Sequence, residues 1–160
     1  VRLKGEYVDR PNSPLFPFGF GLSYTSFAVS GPVLETTEVS TDGTIVATVT
    51  VRNTGTVTGD EVVQLYARRL SASMTRPVRE LVGFKRITLD PGERAAMRFR
   101  VPADLIGFVD RAMRFVVEPG PATISAGTSA VAIAGTATFE LLGPTMVAPA
   151  RSFFSTVAVT

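Results

Sequence analysis

The stretch TIVATVTVRNTGTVTGDEVVQLYARRL, residues 44–70, decides the fold predicted for the whole chain. In each of its halves apolar residues occupy every second position, which is the period of a β-strand with one buried face. Its centre, residues 53–60, holds Asn, Gly, Thr and Asp, which favour turns because they tolerate unusual backbone angles or bond their own backbone. We therefore predict two antiparallel strands joined as a hairpin. A two-stranded ribbon is marginal in water, so other strands must cover its apolar face.

Short alternating segments continue on both sides of this stretch. Turn signals separate them at spacings of about 8–12 residues, which is typical of an all-β sandwich. The sequence predicts an antiparallel β-sandwich of the immunoglobulin or fibronectin type III kind with about seven strands. We place these further strands at 27–29, weakly at 33–39, at 80–89 with a bulge at Gly83, at 94–101, at 113–117, at 122–126 and at 136–142.

The composition fits one globular domain. The chain has 160 residues, 45% of them hydrophobic, and a domain of that size buries roughly 70% of its unfolded surface. No apolar run approaches the ~20 residues of a membrane span, so we expect no membrane partner. The first residues lack the apolar core of a signal peptide, and the chain starts without Met, which indicates a piece of a longer protein.

Missing residue types exclude several chemistries. The chain has no Cys, His or Trp, so disulfides, thiolate or imidazole metal sites and a Ser-His-Asp triad are ruled out. We expect no cofactor and no metal. The net charge is +2, with acidic and basic residues interspersed, which disfavours a nucleic-acid partner.

The segment PLFPFGFGLSYTSF, residues 14–27, is called the aromatic lead-in below. Its Pro and Gly residues exclude a regular helix, and each aromatic ring offers about 150–250 Å² of surface to bury. Two interpretations stay open: an ordered linker held between two packed bodies, or an extended segment packed on this domain's own sandwich. Tyr7, just before it, is either an anchor or a half-buried side chain.

Three long motifs resemble a known family. The lead-in resembles the segment that leaves the second catalytic domain of family 3 glycoside hydrolases, which include β-glucosidases and β-xylosidases. The run VTVRNTGTVTGDEVVQLY at 49–66 is similar to the hallmark of their C-terminal fibronectin type III-like domain, and RPVRELVGFKRITLDPGE at 76–93 and VVEPGPATISAGTSA at 116–130 are similar to its later strands. The motifs occur in order over nearly the whole chain. Phe20 departs from the family pattern, in which His or Tyr is common between the two glycines.

This resemblance implies a division of the chain. Residues 1–27 would be a linker from a missing catalytic domain, 28–143 the sandwich, and 144–160 a C-terminal extension with a candidate edge strand at 155–159. The partners implied are the catalytic domains of the parent chain and, for the parent, a β-linked oligosaccharide or glycoside. The parent enzyme would hydrolyse terminal β-linked glucose or xylose, and this fragment alone would be inactive. The resemblance leaves the compartment open between cytoplasm and secretion from a bacterium.

The carboxylates of this chain do not form a predicted catalytic pair. Asp60 and Glu61 are adjacent on a strand and point to opposite faces, so turn capping is the favoured role. The same role is expected for Asp104 and Asp110, and Glu80 is expected to pair with Arg76 or Arg79. Ser23 has no His base. We predict no catalytic, substrate-binding or metal-binding residue here; the alternative function is a carbohydrate-binding or adhesion-type sandwich module.

Overall fold

The structure is a computed structural model that describes residues 13–160. Residues 1–12 of the predicted linker, Tyr7 among them, lie outside the described residues. Strands are the dominant element. They are β1 (Phe27–Val29), β2 (Val33–Leu34), β3 (Glu38–Ser40), β4 (Thr44–Asn53), β5 (Gly59–Arg69), β6 (Glu80–Leu89), β7 (Arg94–Pro102), β8 (Phe108–Val109), β9 (Phe115–Val117), β10 (Gly120–Gly127), β11 (Ile133–Leu142), β12 (Met146–Val147) and β13 (Thr156–Val159), with a 3₁₀ helix at Ala103–Ile106.

Two five-stranded sheets face each other. The first sheet has the order β1-β4-β7-β13, and β2 also pairs with β4. The second sheet has the order β3-β11-β10-β5-β6, and a small ribbon, β12-β9-β8, lies beside them. The β-sandwich prediction is confirmed, and so is the edge strand in the C-terminal extension, which pairs with β7.

The predicted hairpin between β4 and β5 is wrong. β4 pairs with β7 in the first sheet, whereas β5 pairs with β6 and β10 in the second. The physical reason is that both strands carry a fully buried apolar face: Ile45 and Val49 on β4, and Val63 and Leu65 on β5. In this sandwich the two faces lie in opposite sheets and meet in the core, so the segment between β4 and β5 crosses from one sheet to the other.

The core follows the alternation that the sequence displays. Met97, Phe99 and Val101 of β7 are completely buried, while Arg98 and Arg100 between them, and Arg94 before them, are exposed. β10 contributes Ala122, Ile124 and Ala126, and β11 contributes Phe139 and Leu141, all within the same core. Burying aliphatic and Phe side chains at about 25 cal/mol per Å² drives the two sheets together without the disulfide of an antibody domain.

The strand count exceeds the predicted seven because short strands carry too little alternation to be recognised. β2, β8 and β12 have two residues each. The weak strand predicted at 33–39 is split into β2 and β3, which lie in different sheets. β3 also pairs with β11 in parallel, so the second sheet is not wholly antiparallel.

Local turn chemistry was predicted well. The bulge at Gly83 is present: Leu65 pairs with Gly83 and Tyr66 with Leu81, so Val82 is the extra residue. The turn at 90–93 is closed by the Glu93 N–H, which donates to the Asp90 carbonyl at 3.0 Å. Gly92 has φ of +79°, as position i+2 of a type II turn requires.

Met113 lies in a turn, although the sequence predicts it in a strand, and its conformation can be tested by substitution. The sequence places it in a strand, but β9 begins at Phe115 and Met113 occupies a turn with φ of +60°, its side chain exposed. This left-handed conformation costs an ordinary L-residue about 1–2 kcal/mol, and Asn tolerates it better. Met113→Asn should therefore raise the free energy of unfolding by about 0.5–1 kcal/mol in urea titrations. Met113→Ala supplies no side-chain amide that could hydrogen-bond locally in this conformation and should show no such gain; an equal gain from alanine would contradict this account.

Candidate functional site

The aromatic lead-in crosses the outer face of the second sheet, and its backbone is tied down there. Gln64 of β5 donates from Nε2 to the Gly19 carbonyl at 3.2 Å and to the Thr128 carbonyl at 2.8 Å. The Ala130 N–H donates to the Phe18 carbonyl at 2.9 Å. Gly19 is required at this point, because it has φ of +79° and a Cβ there would lie 2.2 Å from the Gln64 amide oxygen.

The rings of the lead-in are not covered by this tethering. Phe16 and Phe18 are each 66% exposed, and Phe20 is 47% exposed. The Phe16 and Phe20 ring centroids lie 5.2 Å apart, so the two rings pack on each other. Leu15, Leu22 and Tyr24 are also exposed. The backbone of the lead-in therefore packs on this sandwich, as the second interpretation predicted, while its side chains form an unburied apolar surface. The first interpretation, a linker held between two packed bodies, stays a prediction.

Asn53 anchors the other end of the lead-in. It is fully buried at the end of β4, and its Oδ1 accepts from the Thr25 hydroxyl at 2.8 Å and the Gly55 N–H at 3.0 Å. Its Nδ2 donates to the Val57 carbonyl at 2.8 Å and the Leu89 carbonyl at 2.9 Å. One amide thus joins the lead-in, the crossing between the two sheets and the end of β6.

A groove of about 530 Å³ runs between the lead-in and β5. Residues 19–23 form one wall, and the other walls include Asp60, Glu61, Gln64 and Arg86. Tyr66, behind Gln64, is buried and donates its hydroxyl to the Gln64 Oε1. Of the tyrosines in the described part of the chain, Tyr24 alone is exposed, so an aromatic platform for a sugar would have to be built from Phe.

Asp60 and Glu61 border the groove but have opposite environments. Arg86 and Thr88 of β6 both donate to Asp60, which therefore bridges two strands. The prediction that Asp60 caps a turn is wrong. The Thr88 hydroxyl and the Arg86 guanidinium hold the pKa of Asp60 below its usual value. Burial raises the pKa of Glu61, although the Val62 N–H donates to its Oε1 at 2.8 Å.

Glu61 should make stability depend on pH. A carboxyl whose pKa is raised in the folded state contributes stability that is present below the unfolded pKa, near 4.5, and lost as pH rises through the folded pKa. Glu61→Gln keeps the acceptor for the Val62 N–H and removes the charge. We expect this variant to be more stable than the parent at pH 7 and indistinguishable from it at pH 4, measured by urea denaturation at both values.

Asp60→Asn is the matched control with the opposite sign. Since the pKa of Asp60 is lowered in the folded state, its contribution is present above the unfolded pKa, near 3.8, and lost as pH falls through the folded pKa. The Asn variant should therefore be less stable at pH 7, and the difference should shrink below pH 3.8. Equal pH profiles for the two variants would contradict the assignment.

The loop at residues 71–79 is fastened at three points. Ser73 donates its N–H to Glu118 Oε2 at 2.9 Å. Arg76 pairs with Glu80 at 2.6 Å, as predicted, and its guanidinium lies 5.0 Å from the centre of the Phe108 ring. Arg79 donates to the Ala130 carbonyl at 2.6 Å, which brings the loop to the same turn that holds Phe18.

The other predicted polar residues have structural partners. Asp110 caps its turn as predicted, accepting from the Ala112 N–H at 2.8 Å and the Arg114 N–H at 2.9 Å. Asp104 lies in the 3₁₀ helix and accepts from the Ser152 N–H at 2.7 Å, so it fastens the C-terminal extension. Ser23 receives only a 3.4 Å contact from the Thr25 N–H.

Within residues 13–160 the structure contains no cluster of three acidic side chains arranged to hold a metal ion. No helix in this part of the chain is long and apolar enough to cross a membrane.

The fold and the fastened, exposed lead-in define a fibronectin type III-type β-sandwich with an apolar surface on one side. Residues 61–130 match the fibronectin type III-like domain family. These residues therefore form a fibronectin type III-like domain, the kind of domain that the resemblance to β-glucosidases and β-xylosidases of glycoside hydrolase family 3 implied.

The relatives are long enzymes. The chain is 49% identical over 129 residues to a beta-xylosidase of Formosa agariphila and 41% identical over 136 residues to a periplasmic beta-glucosidase of Salmonella typhimurium. These matches cover 81% and 85% of this chain but 18% of each relative. The structure of beta-glucosidase from Listeria innocua in complex with glucose superposes with a TM-score of 0.81 at 31% identity, over 89% of this chain and 20% of that chain. The chain therefore spans about a fifth of the length of these relatives.

Sequence analysis missed two residues of this site. Asn53 was interpreted as a turn-forming residue, and Gln64 was not singled out as a functional residue. Both are buried amides that bond the lead-in or its neighbours. The sequence carries no signal that separates Gln64 from other outward positions of β5, because a polar residue between Val63 and Leu65 is typical of an alternating strand.

Proposed function

We propose that this chain is the C-terminal accessory domain of a β-glycosidase and that its role is structural. It packs on the catalytic domains of the same polypeptide through the aromatic lead-in. The parent enzyme hydrolyses terminal β-linked glucose or xylose in oligosaccharides or glycosides. The proposal is supported by relatives that are named β-xylosidase and β-glucosidase and are about five times longer than this chain.

The exposed lead-in is the observation that carries the proposal. Three Phe rings and two Leu side chains remain in solvent although the backbone between them is hydrogen-bonded to the sandwich. A cluster of exposed large apolar side chains on a folded domain marks an interaction site. A fixed backbone also lowers the entropy lost when a partner covers the rings, which favours a permanent neighbour in the same chain.

The catalytic residues belong to the preceding domains in this proposal. A retaining glycosidase needs two carboxyl groups about 5–5.5 Å apart, one of them protonated to serve as general acid. Asp60 is bonded to Arg86 and Thr88, and Asp110 to Arg114, and these partners lower the pKa of both carboxyls. Carboxylates with these partners are stabilised in the charged form and are poor proton donors.

The loop at residues 71–79 has a second structural role in this proposal, which is to brace a neighbouring loop near the substrate entrance. Its support is the fastening of Ser73, Arg76 and Arg79 to three different elements of the sandwich. Shortening this loop in the longer protein should change aglycone preference while the hydrolysis of simple nitrophenyl glycosides continues. Unchanged aglycone preference would refute the bracing role.

The test of the function compares three proteins. The chain alone should release no nitrophenol from nitrophenyl β-glucoside or β-xyloside, and the longer protein, obtained by extending the gene upstream, should release it. The longer protein without residues 28–160 should lose its activity at a lower temperature than the intact one. Turnover by the chain alone would overturn the proposal. Retention of the chain alone on an oligosaccharide affinity gel would favour the carbohydrate-binding alternative.

A further inference from the structure

β13 forms one edge of the first sheet. The sheet order is β1-β4-β7-β13, so within residues 13–160 this strand has a strand partner on one side only. An edge strand presents unpaired N–H and C=O groups to any second strand that approaches it, and charges or bulges commonly protect it. β6, at the edge of the second sheet, has both kinds of protection, in Lys85, Arg86 and the bulge at Val82. β13 has no charged side chain and no bulge.

The hydrogen bonds to β7 determine which backbone groups of β13 point outward. Thr160, directly after β13, exchanges two hydrogen bonds with Ala96: the Ala96 N–H donates to the Thr160 carbonyl at 2.7 Å, and the Thr160 N–H donates to the Ala96 carbonyl at 2.9 Å. Such pairs alternate with non-hydrogen-bonded pairs along an antiparallel ladder. Ala158 therefore also bonds toward β7, whereas Val157 and Val159 direct their N–H and C=O groups to the open edge.

The sequence of this edge is the same in both directions. Residues 156–160 read TVAVT, with Ala158 at the centre. If two copies pair in antiparallel about a two-fold axis at Ala158, Val157 of each copy lies opposite Val159 of the other. These are the residues whose backbone groups point outward, so each Val157–Val159 pair exchanges both hydrogen bonds of an antiparallel ladder. Ala158 then faces its own copy in a non-hydrogen-bonded pair, where the Cα atoms are only about 4.5 Å apart and a small side chain fits.

Charges do not oppose this pairing. The segment 156–160 carries no charged side chain. Arg98 and Arg100 lie beside it on β7, and Glu35 forms an ion pair with Arg98 at 2.7 Å. In the pair of copies these arginines are at least three strand spacings, about 14 Å, from those of the other copy, which exceeds the screening length of about 8 Å at physiological ionic strength.

The pairing also covers apolar surface. Val157 and Val159 lie beside the buried Phe99 and Met97 of β7, so their side chains point to the inner face of the sheet. Val159 nevertheless remains 41% exposed at the open edge. Valine side chains opposite each other pack favourably in a sheet. A contact between two such short strands buries less than the roughly 1,200 Å² of a stable interface, so the dimer is weak and forms in concentrated solution.

We propose that β13 is a self-association edge, through which two copies of this chain pair as antiparallel strands over residues 156–160. The first sheet then continues from one copy into the other. The two-fold axis makes the contact self-limiting, because each copy uses its only β13 in the pair. The inference goes beyond the proposed function and does not depend on it, since it uses only the geometry of β7 and β13.

Disulfide trapping tests the pairing, because the chain has no Cys of its own. In Ala158→Cys the two thiols meet at the two-fold axis, so mild oxidation should link the copies about tenfold faster than in Ala28→Cys. Ala28 is the matched control, since it is an exposed residue of β1 at the opposite edge of the same sheet. Adding Val159→Pro to Ala158→Cys removes an outward N–H and should lower the oxidation rate to that of the control.

Equal oxidation rates for Ala158→Cys and Ala28→Cys would overturn the self-pairing and would leave the open edge to a segment of another domain. A rate that Val159→Pro does not lower would also overturn it, since the copies would then meet through another surface, such as the exposed Phe153 and Phe154.

A second measurement decides if the proline variant does not fold. The sedimentation coefficient of the parent chain should rise with concentration, whereas Ala158→Lys should stay monomeric because like charges face each other at the axis. Ala28→Lys adds the same charge to β1 and should associate as the parent does. Association of Ala158→Lys to the same extent as the parent would contradict the pairing.

Discussion

Replacing Asn53 with leucine should lower the free energy of unfolding by about 3–5 kcal/mol, the largest effect expected of any single substitution discussed here. The side chain makes four hydrogen bonds and is completely buried. Leucine has a similar volume but no polar atoms, so the Leu89 carbonyl and the Gly55 N–H are left without their partner. Urea denaturation followed by circular dichroism measures the loss.

The effect of Asn53 should exceed that of its neighbour. Thr54 is exposed and donates its hydroxyl to the Ser26 carbonyl at 3.1 Å, so Thr54→Ala should cost about 0.5 kcal/mol or less. This control separates the buried amide from the general sensitivity of the crossing between β4 and β5. Similar losses for the two variants would show that the crossing is held by its backbone and not by Asn53.

The role of Asn53 could not be predicted from the alternation of apolar residues. Alternation predicted β4, β5, β7, β10 and β11, because burying one face of a strand imposes a period of two. The same pattern does not state which strand lies alongside, and so it allowed a hairpin where the chain crosses between sheets. The amide that stabilises the crossing was hidden within turn-forming residues, since Asn is common in turns for local reasons.

Arg69 was not predicted to be buried. It lies at the end of β5, 8% exposed, on the inward face that Val63, Leu65 and Ala67 define. Continuing the period by one step places a charge on the buried face, which is rare unless the charge is paired. The exposed state of the lead-in was also not predictable from composition, because the same rings suit an internal core or an interface equally well.

Replacing Phe16, Phe18 and Phe20 together with serine should leave the isolated chain almost unchanged and weaken the longer protein. Phe16 and Phe18 are each 66% exposed and Phe20 is 47% exposed, so the chain alone loses little buried surface. Its Tm should shift by no more than about 2 °C. If the catalytic domains cover these rings, each contributes about 2–3 kcal/mol of apolar burial to the contact. The inactivation temperature of the longer protein should then be several degrees lower with the triple substitution than without it.

The contrast between the two proteins is what tests the docking surface. Val33→Ser removes an exposed apolar side chain, 69% exposed, from β2 in the opposite sheet, and should change neither protein. A large loss of stability in the isolated triple variant would mean that the rings belong to the core of this sandwich. An unchanged inactivation temperature in the longer protein would mean that no neighbour covers them. Since Gln64 and Ala130 hold the backbone and not the rings, the segment should keep its course in the triple variant, and any loss is then assigned to the missing aromatic surface.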